Sequence, residues 1–207
     1  MNNKKYFETV ADKWDDMREN FFSKNVREKA FDTASLQPGR LAADIGAGTG
    51  FITEGLIQKG LSVIAVDQSA AMLDKLELKF PSSEQIDCRV GEAEKLPIED
   101  NSVDYVFANM FLHHVEDPLK AIKEMRRILK PGGMLVITDV DEHDFDFLRA
   151  EHHDRWMGFK RENIKQWFTE AGLGNVSIDC VGENCCTKSS SNSESGEISI
   201  FVASGEK

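Results

Sequence analysis

Long apolar runs are missing from this chain. No hydrophobic stretch approaches the roughly 20 residues a helix needs to cross a bilayer, so a helical membrane span is excluded from the reading. The beginning, Met1-Asn2-Asn3-Lys4-Lys5, leads into Tyr6-Phe7-Glu8 rather than an apolar core, and no secretory leader is expected. Cysteine is sparse: Cys88, Cys180, Cys185 and Cys186 form neither a zinc spacing nor a dense disulfide framework, so a reducing, cytoplasmic compartment is expected. Basic residues are also short, 25 Lys and Arg against 36 Asp and Glu, for a net charge of −11. Nucleic acids are held by clustered cations that displace counterions, so a nucleic-acid partner is not expected. The densest basic group (Lys120, Lys123, Arg126, Arg127, Lys130) sits at helical spacing between apolar residues and reads as a solvated helix face.

What is present is an ordinary globular mix, 41% hydrophobic and 29% charged over 207 residues, enough for one domain with a sizeable core. The first forty residues read as helical, with Val26, Ala30, Thr33 and Ala34 on one face and a stop at Pro38-Gly39. Strands and helices then alternate. Strands are expected at Leu41 to Ile45, Leu61 to Val66, around Ile86-Cys88-Val90, at Val103 to Ala108 and at Met134 to Thr138. Between them lie helices opened by Ser69 and by Asp117-Pro118, the second carrying Leu119, Ile122, Met125 and Leu129 inward and ending at Pro131-Gly132-Gly133. A helix from Arg161 to Ala171 follows, then two alternating strands, Val176-Ile178-Cys180 and Ile198-Ile200-Val202, that suit an antiparallel hairpin. Such a pattern specifies an α/β fold, a Rossmann-like doubly wound and mainly parallel seven-stranded sheet with an antiparallel C-terminal hairpin. Ligands of such sheets bind beyond the carboxyl ends of the strands.

The first strand ends in Asp44-Ile45-Gly46-Ala47-Gly48-Thr49-Gly50, where alternate glycines let backbone turn sharply against a ligand. The nicotinamide fingerprint needs a glycine at the sixth position from Gly46, and Phe51 stands there. The second strand ends at Asp67, where a carboxylate accepts from ribose hydroxyls. The third runs into Gly91-Glu92-Ala93-Glu94-Lys95-Leu96-Pro97, in which Glu92 can accept from an exocyclic amine while the Ala93 amide donates to a ring.

Together with Val66-Asp67-Gln68-Ser69 and Met72, Leu112-His113-His114-Val115, and Leu129-Lys130-Pro131-Gly132-Gly133, these segments resemble the class I S-adenosylmethionine-dependent methyltransferases, in the branch of the ubiquinone and menaquinone C-methyltransferases. The resemblance covers nearly the whole chain. It implies a single methyltransferase domain: an N-terminal helical cover over 1–39, a cofactor-binding core over 40–140, a substrate lid over 141–160, and a C-terminal helix and hairpin over 161–207. Its implied cofactor is S-adenosylmethionine. Asp44 and Ala47 would bind the cofactor, with Gly46 and Gly48 against its methionine part, Asp67 at the ribose, Gln68 and Met72 at the adenosine, Glu92 and Ala93 at the adenine edge, and Asn109 at the methionine and the methyl group. The family more often has Asp where Glu92 stands. Trp14 would lie in the N-terminal cover, where the family usually has Tyr.

Methyl transfer from a sulfonium is an in-line displacement in which alignment supplies much of the acceleration. His113 and His114, after the fourth strand, are the candidate catalytic residues, because an alcohol or phenol acceptor needs a base near neutrality. The stretch 141–158 gathers His143, Asp144, Asp146, Glu151, His152, His153, Asp154, Arg155 and Trp156. It reads as a polar lid helix in preference to a metal site. Cys185-Cys186 opens a serine-rich loop, and vicinal thiols suit a metalloid, so an arsenite methyltransferase stands as one alternative. A nicotinamide oxidoreductase and a non-catalytic cofactor-binding module stand as the others. The expected partner is a small molecule, with the chain a monomer or homodimer; the acceptor atom is not legible.

Overall fold

The computed structural model describes residues 3–19, 21–81, 84–188 and 195–207. Three short helices come first, α1 (Asn3–Val10), α2 (Trp14–Glu19) and α3 (Lys24–Ala34). The alternating core follows: β1 (Leu41–Ile45), α4 (Phe51–Gln58), β2 (Ser62–Asp67), α5 (Ala70–Lys79), β3 (Ile86–Val90), β4 (Val103–Asn109), α6 (Pro118–Ile128) and β5 (Leu129–Val140). The chain ends with α7 (Asp146–Glu151), α8 (Arg161–Glu170), β6 (Gly174–Lys188) and β7 (Ser195–Glu206). One seven-stranded sheet runs β3-β2-β1-β4-β5-β7-β6. β1 to β5 pair in parallel, while β7 runs antiparallel to both β5 and β6. The expected architecture, hairpin included, is what the chain forms.

The punctuation works as the residue types dictate. Ser69 Oγ accepts from the Met72 amide at 3.3 Å, and Asp117 Oδ1 from the Lys120 amide at 3.0 Å, each relieving an orphan donor at a helix start. Period-two alternation sends successive strand residues to opposite layers. Ala43, Ile45, Val106, Leu135 and Ile137 join the layer of α6 and α8, with Ile122, Met125, Ile164 and Phe168. Ala42, Phe107 and Val136 face α3 and α4, with Ala30, Phe31, Ile52 and Leu56.

Three local expectations are corrected. Leu129 begins β5 rather than closing α6. The basic row of α6 is not simply a solvated face: Arg127 grips Glu124 and Asp100 and donates to the Leu96 and Ile98 carbonyls, while Arg126 Nε donates to the Gly172 carbonyl at 2.9 Å. These cations tie α6 to neighbouring loops. Cys185 and Cys186 lie within β6, opposite Ile198 and Glu197, instead of opening a loop. Of the serine-rich stretch that follows, 189–194 lies outside the described residues.

Met125 is fully buried between sheet and α8, so Met125→Ala leaves a cavity that close packing cannot refill. Its expected cost is about 2–5 kcal/mol, read as a lower urea midpoint with an unchanged slope.

Candidate active site

The order of strands reverses between β1 and β4, and their carboxyl ends open the cleft. Directly after β1 the chain turns through Gly46, Gly48 and Gly50, all at positive φ (73°, 53° and 94°). The Gly46 and Ala47 amides donate to the Val66 carbonyl at 2.9 and 3.0 Å, folding the turn over the end of β2. A Cβ on Gly46 would stand 2.2 Å from the Phe111 ring, so only glycine lets that ring close against the turn. Asp44 is buried beneath, its Oδ2 accepting from the Thr53 amide (3.0 Å) and hydroxyl (2.6 Å). Burial, offset by those two bonds, raises its pKa to about 7.

Asp67, at the end of β2, accepts from the Gly48 amide at 2.9 Å and the Ser69 amide at 2.8 Å. Burial raises its pKa against the pull of these bonds. A carboxylate offers about four acceptor positions, so acceptor capacity remains for a ligand. Asp67 and Gln68 line a cavity of about 550 Å³ together with Gly46, Glu92 and Ala93. Glu94, on the same wall, accepts from the Glu116 and Asp117 amides at 3.2 and 3.4 Å and so braces the start of α6.

A second, narrower space of about 60 Å³ is lined by Asp44, Gly46, Ala47, Gly48, Met72 and Asn109, under Trp14. Met72 lines this space with the glycine turn, and Asn109 Oδ1 accepts from the Thr138 hydroxyl at 2.7 Å. The sequence reading missed two residues here, Phe111 and Arg18. Arg18 lines this space from α2, its side chain 9% exposed, its guanidinium 4.4 Å from the Phe51 ring centre. Its Nε is buried without a hydrogen-bond partner among the described residues. The cover carrying it is moored to the core: Asp12 pairs with Lys75 and Asp15 with Lys79, and Thr49 Oγ1 donates to Asp15 at 2.6 Å.

The third space, again about 60 Å³, is walled by aromatic residues of the cover, including Tyr6, Phe7 and Phe22, and by His113, His114 and Asp154. His113 Nδ1 bonds Asp139 Oδ1 at 2.6 Å, and Asp139, at the end of β5, is wholly buried. Burial acts to lower the His113 pKa, but the carboxylates of Asp139 and Asp154 outweigh it and raise it to about 9. His114 goes the other way, held well below its usual value by burial and by His113. The vicinal histidines are thus driven in opposite directions, His113 toward its protonated form and His114 toward its neutral form. Asp154 reaches them because the Arg155 and Trp156 amides donate to the His113 carbonyl, both at 3.0 Å. Tyr6 Oη and His152 Nδ1 lie 3.1 Å apart, joining cover to lid. Of the stretch expected to form a lid helix, only 146–151 is helical. Cys185 lines this space and Cys186 is exposed, so the vicinal thiols point apart, and Cys88 lies instead beside the α5 packing.

Residues 43–137 match the family model for a methyltransferase domain. The chain is 34% identical to a demethylmenaquinone methyltransferase of Renibacterium salmoninarum over 83% of each chain. It is 32% identical to the chloroplastic 2-methyl-6-phytyl-1,4-hydroquinone methyltransferase of Arabidopsis thaliana, across 78% of this chain but 48% of that protein. A phosphoethanolamine N-methyltransferase of Haemonchus contortus, solved with S-adenosyl-L-methionine, shares the fold: TM-score 0.72 at 18% identity, over 87% of this chain and 52% of that one.

The raised pKa of Asp44 makes stability depend on pH. Its folded value, about 7, lies above the unfolded value of 3.8, so the fold favours the protonated form. That contribution is complete below pH 3.8 and is lost as pH rises to 7. Asp44→Asn keeps an acceptor for Thr53 and cannot ionise, so its stability relative to the parent should climb between pH 4 and 7. Urea unfolding of both proteins at several pH values checks this; a constant difference contradicts the assignment.

Proposed function

The chain belongs to the class I S-adenosylmethionine-dependent methyltransferases of the quinone C-methyltransferase type, and on that footing we propose that it methylates a ring carbon of a small hydroxylated aromatic of the quinol kind. One observation carries this reading: His114 borders all three spaces, the wide cavity of Asp67, the narrow one beneath Trp14, and the aromatic one at His113. Cofactor and acceptor compartments therefore meet at one side chain.

The residues present fit the cofactor. The wide cavity offers the Asp67 carboxylate for ribose hydroxyls and Glu92 with Ala93 for the adenine edge. The narrow space offers the Gly46–Gly48 backbone and the buried Arg18 guanidinium, which suits the carboxylate of a methionine end. Bound there, S-adenosylmethionine supplies an electrophilic methyl on a sulfonium. Asn109, Met110 and His114 line the passage toward the acceptor.

A phenolic ring carbon becomes strongly nucleophilic when the ring hydroxyl gives up its proton. His114 offers an unprotonated ring nitrogen to that hydroxyl, with the Asp154 carboxyl 3.8 Å from its Nδ1 to support a proton taken there against burial, whereas His113, its pKa raised by Asp139 and Asp154, holds its own proton. The two candidate catalytic histidines thus divide the work: His114 accepts, and His113 positions. Tyr6, Phe7 and Phe22 supply flat apolar walls that exclude water from the ring. The space holds only a few waters' worth of volume, so the acceptor enters by displacing cover or lid. The separate orientation of Cys185 and Cys186 supplies no chelating pair for the metalloid alternative.

Calorimetric titration separates the two cofactor contacts. S-adenosylhomocysteine should bind the purified chain and NADH should not. Asp67→Ala should weaken S-adenosylhomocysteine and 5′-methylthioadenosine alike, by about 1–3 kcal/mol, because both carry the ribose. Arg18→Met should weaken only the former, by about 1.5–3 kcal/mol, because 5′-methylthioadenosine lacks the amino-acid end. Equal losses for both ligands in the Arg18 variant would remove Arg18 from the site. Methylation of a demethylmenaquinol analogue, abolished in His114→Ala, tests the acceptor class.

A further inference from the structure

Three donor atoms converge in the acceptor space: His113 Nε2 and His114 Nδ1 each lie 3.8 Å from Asp154 Oδ1, and all three fall within 4.8 Å of one another. A point equidistant from them lies no more than about 2.5 Å from each, a few tenths of an ångström beyond zinc–nitrogen and zinc–oxygen bonds of about 2.0–2.2 Å. We propose that His113, His114 and Asp154 bind a divalent transition-metal ion, Zn²⁺ or Fe²⁺ in class, that holds the acceptor's oxygen.

The surroundings are those of a built ligand set. His113 Nδ1 is committed to Asp139, the orienting carboxylate that metal-bound histidines characteristically carry, and this leaves Nε2 facing the other two donors. The turn Leu112–His114 and the segment bearing Asp154 are joined by the two hydrogen bonds to the His113 carbonyl. All three ligand side chains are 8% exposed. No lysine or arginine lines this space among the described residues, which leaves the imidazoles as the basic groups on its wall beside Asp154. His143 Nε2, also lining it, is buried without a hydrogen-bond partner among those residues. Two histidines and one carboxylate leave coordination positions open, as an ion that binds substrate requires. An acceptor hydroxyl on such an ion loses its proton more readily, as metal-bound water does. Binding the ion displaces the Nε2 proton of His113, both histidines are then neutral ligands, and the activation assigned to His114 above passes through the ion. Only that last step rests on the methyl-transfer reading; binding of the ion does not.

The test uses the full chain, stripped with chelator and titrated with Co²⁺ alone, followed by its visible absorption and by calorimetry. One saturable equivalent is expected, displaced by Zn²⁺. Asp154→Ala should weaken it at least tenfold, Asp154→His should retain it by restoring a donor, and Cys185→Ser should leave it unchanged. Absence of saturable binding in the parent, or binding indifferent to Asp154→Ala, overturns the proposal. If Asp154→Ala fails to fold, Asp154→His decides: loss of the site there counts against it. Loss in Cys185→Ser shows a thiol site instead and also overturns it. S-adenosylhomocysteine titrated into the same proteins is the parallel readout. If it binds while Co²⁺ does not, the methyltransferase reading stands and the metal site alone falls.

Discussion

Everything about the cleft depends on a buried carboxylate near the end of the central strand. Asp44 holds the Thr53 amide and hydroxyl, which fixes where α4 begins relative to β1. The chain between them then has only a few residues in which to reverse direction, and three of its glycines adopt positive φ to do so. That tight path leaves the ends of β1 and β2 open, with Asp67 clamped by the Gly48 and Ser69 amides. A buried acid with a raised pKa is tolerated because hydrogen bonds satisfy it, even where burial disfavours its charge.

The second centre, around His113, is organised differently. Its parts come from the end of β4, the end of β5, the lid and the first helix, and no two neighbouring elements would create it alone. Asp139 sets the orientation of His113, the His113 carbonyl docks the segment of Asp154, and Tyr6 closes the assembly against His152. Adjacent imidazoles are pushed in opposite directions, because Asp139 and Asp154 outweigh burial at His113, whereas burial and the charge of His113 act together on His114. The fold thereby gives one motif two chemically different histidines.

The parallel sheet, its hairpin and the glycine turn were legible in the chain because each is a local consequence. Strand alternation, the caps at Ser69 and Asp117, and the close spacing from Asp44 to Gly50 act over a few residues. Asp67, Glu92 and Ala93 could be placed for the same reason, since each stands where a strand ends.

Sequence by itself thus determined the α/β order, the methyltransferase family and which residues stand at the strand ends, all carried by short-range pattern. Only tertiary structure decided the rest. Arg18 sits in a short, charged helix with nothing local to mark it, and its burial arises when the cover folds over Phe51. Asp139 and Asp154 join His113 from 26 and 41 residues away, and Cys185 faces the site through pairing with a strand beyond it. Such partners are selected by crossover and packing in three dimensions, and no periodicity along the chain records which distant side chains will share a buried pocket.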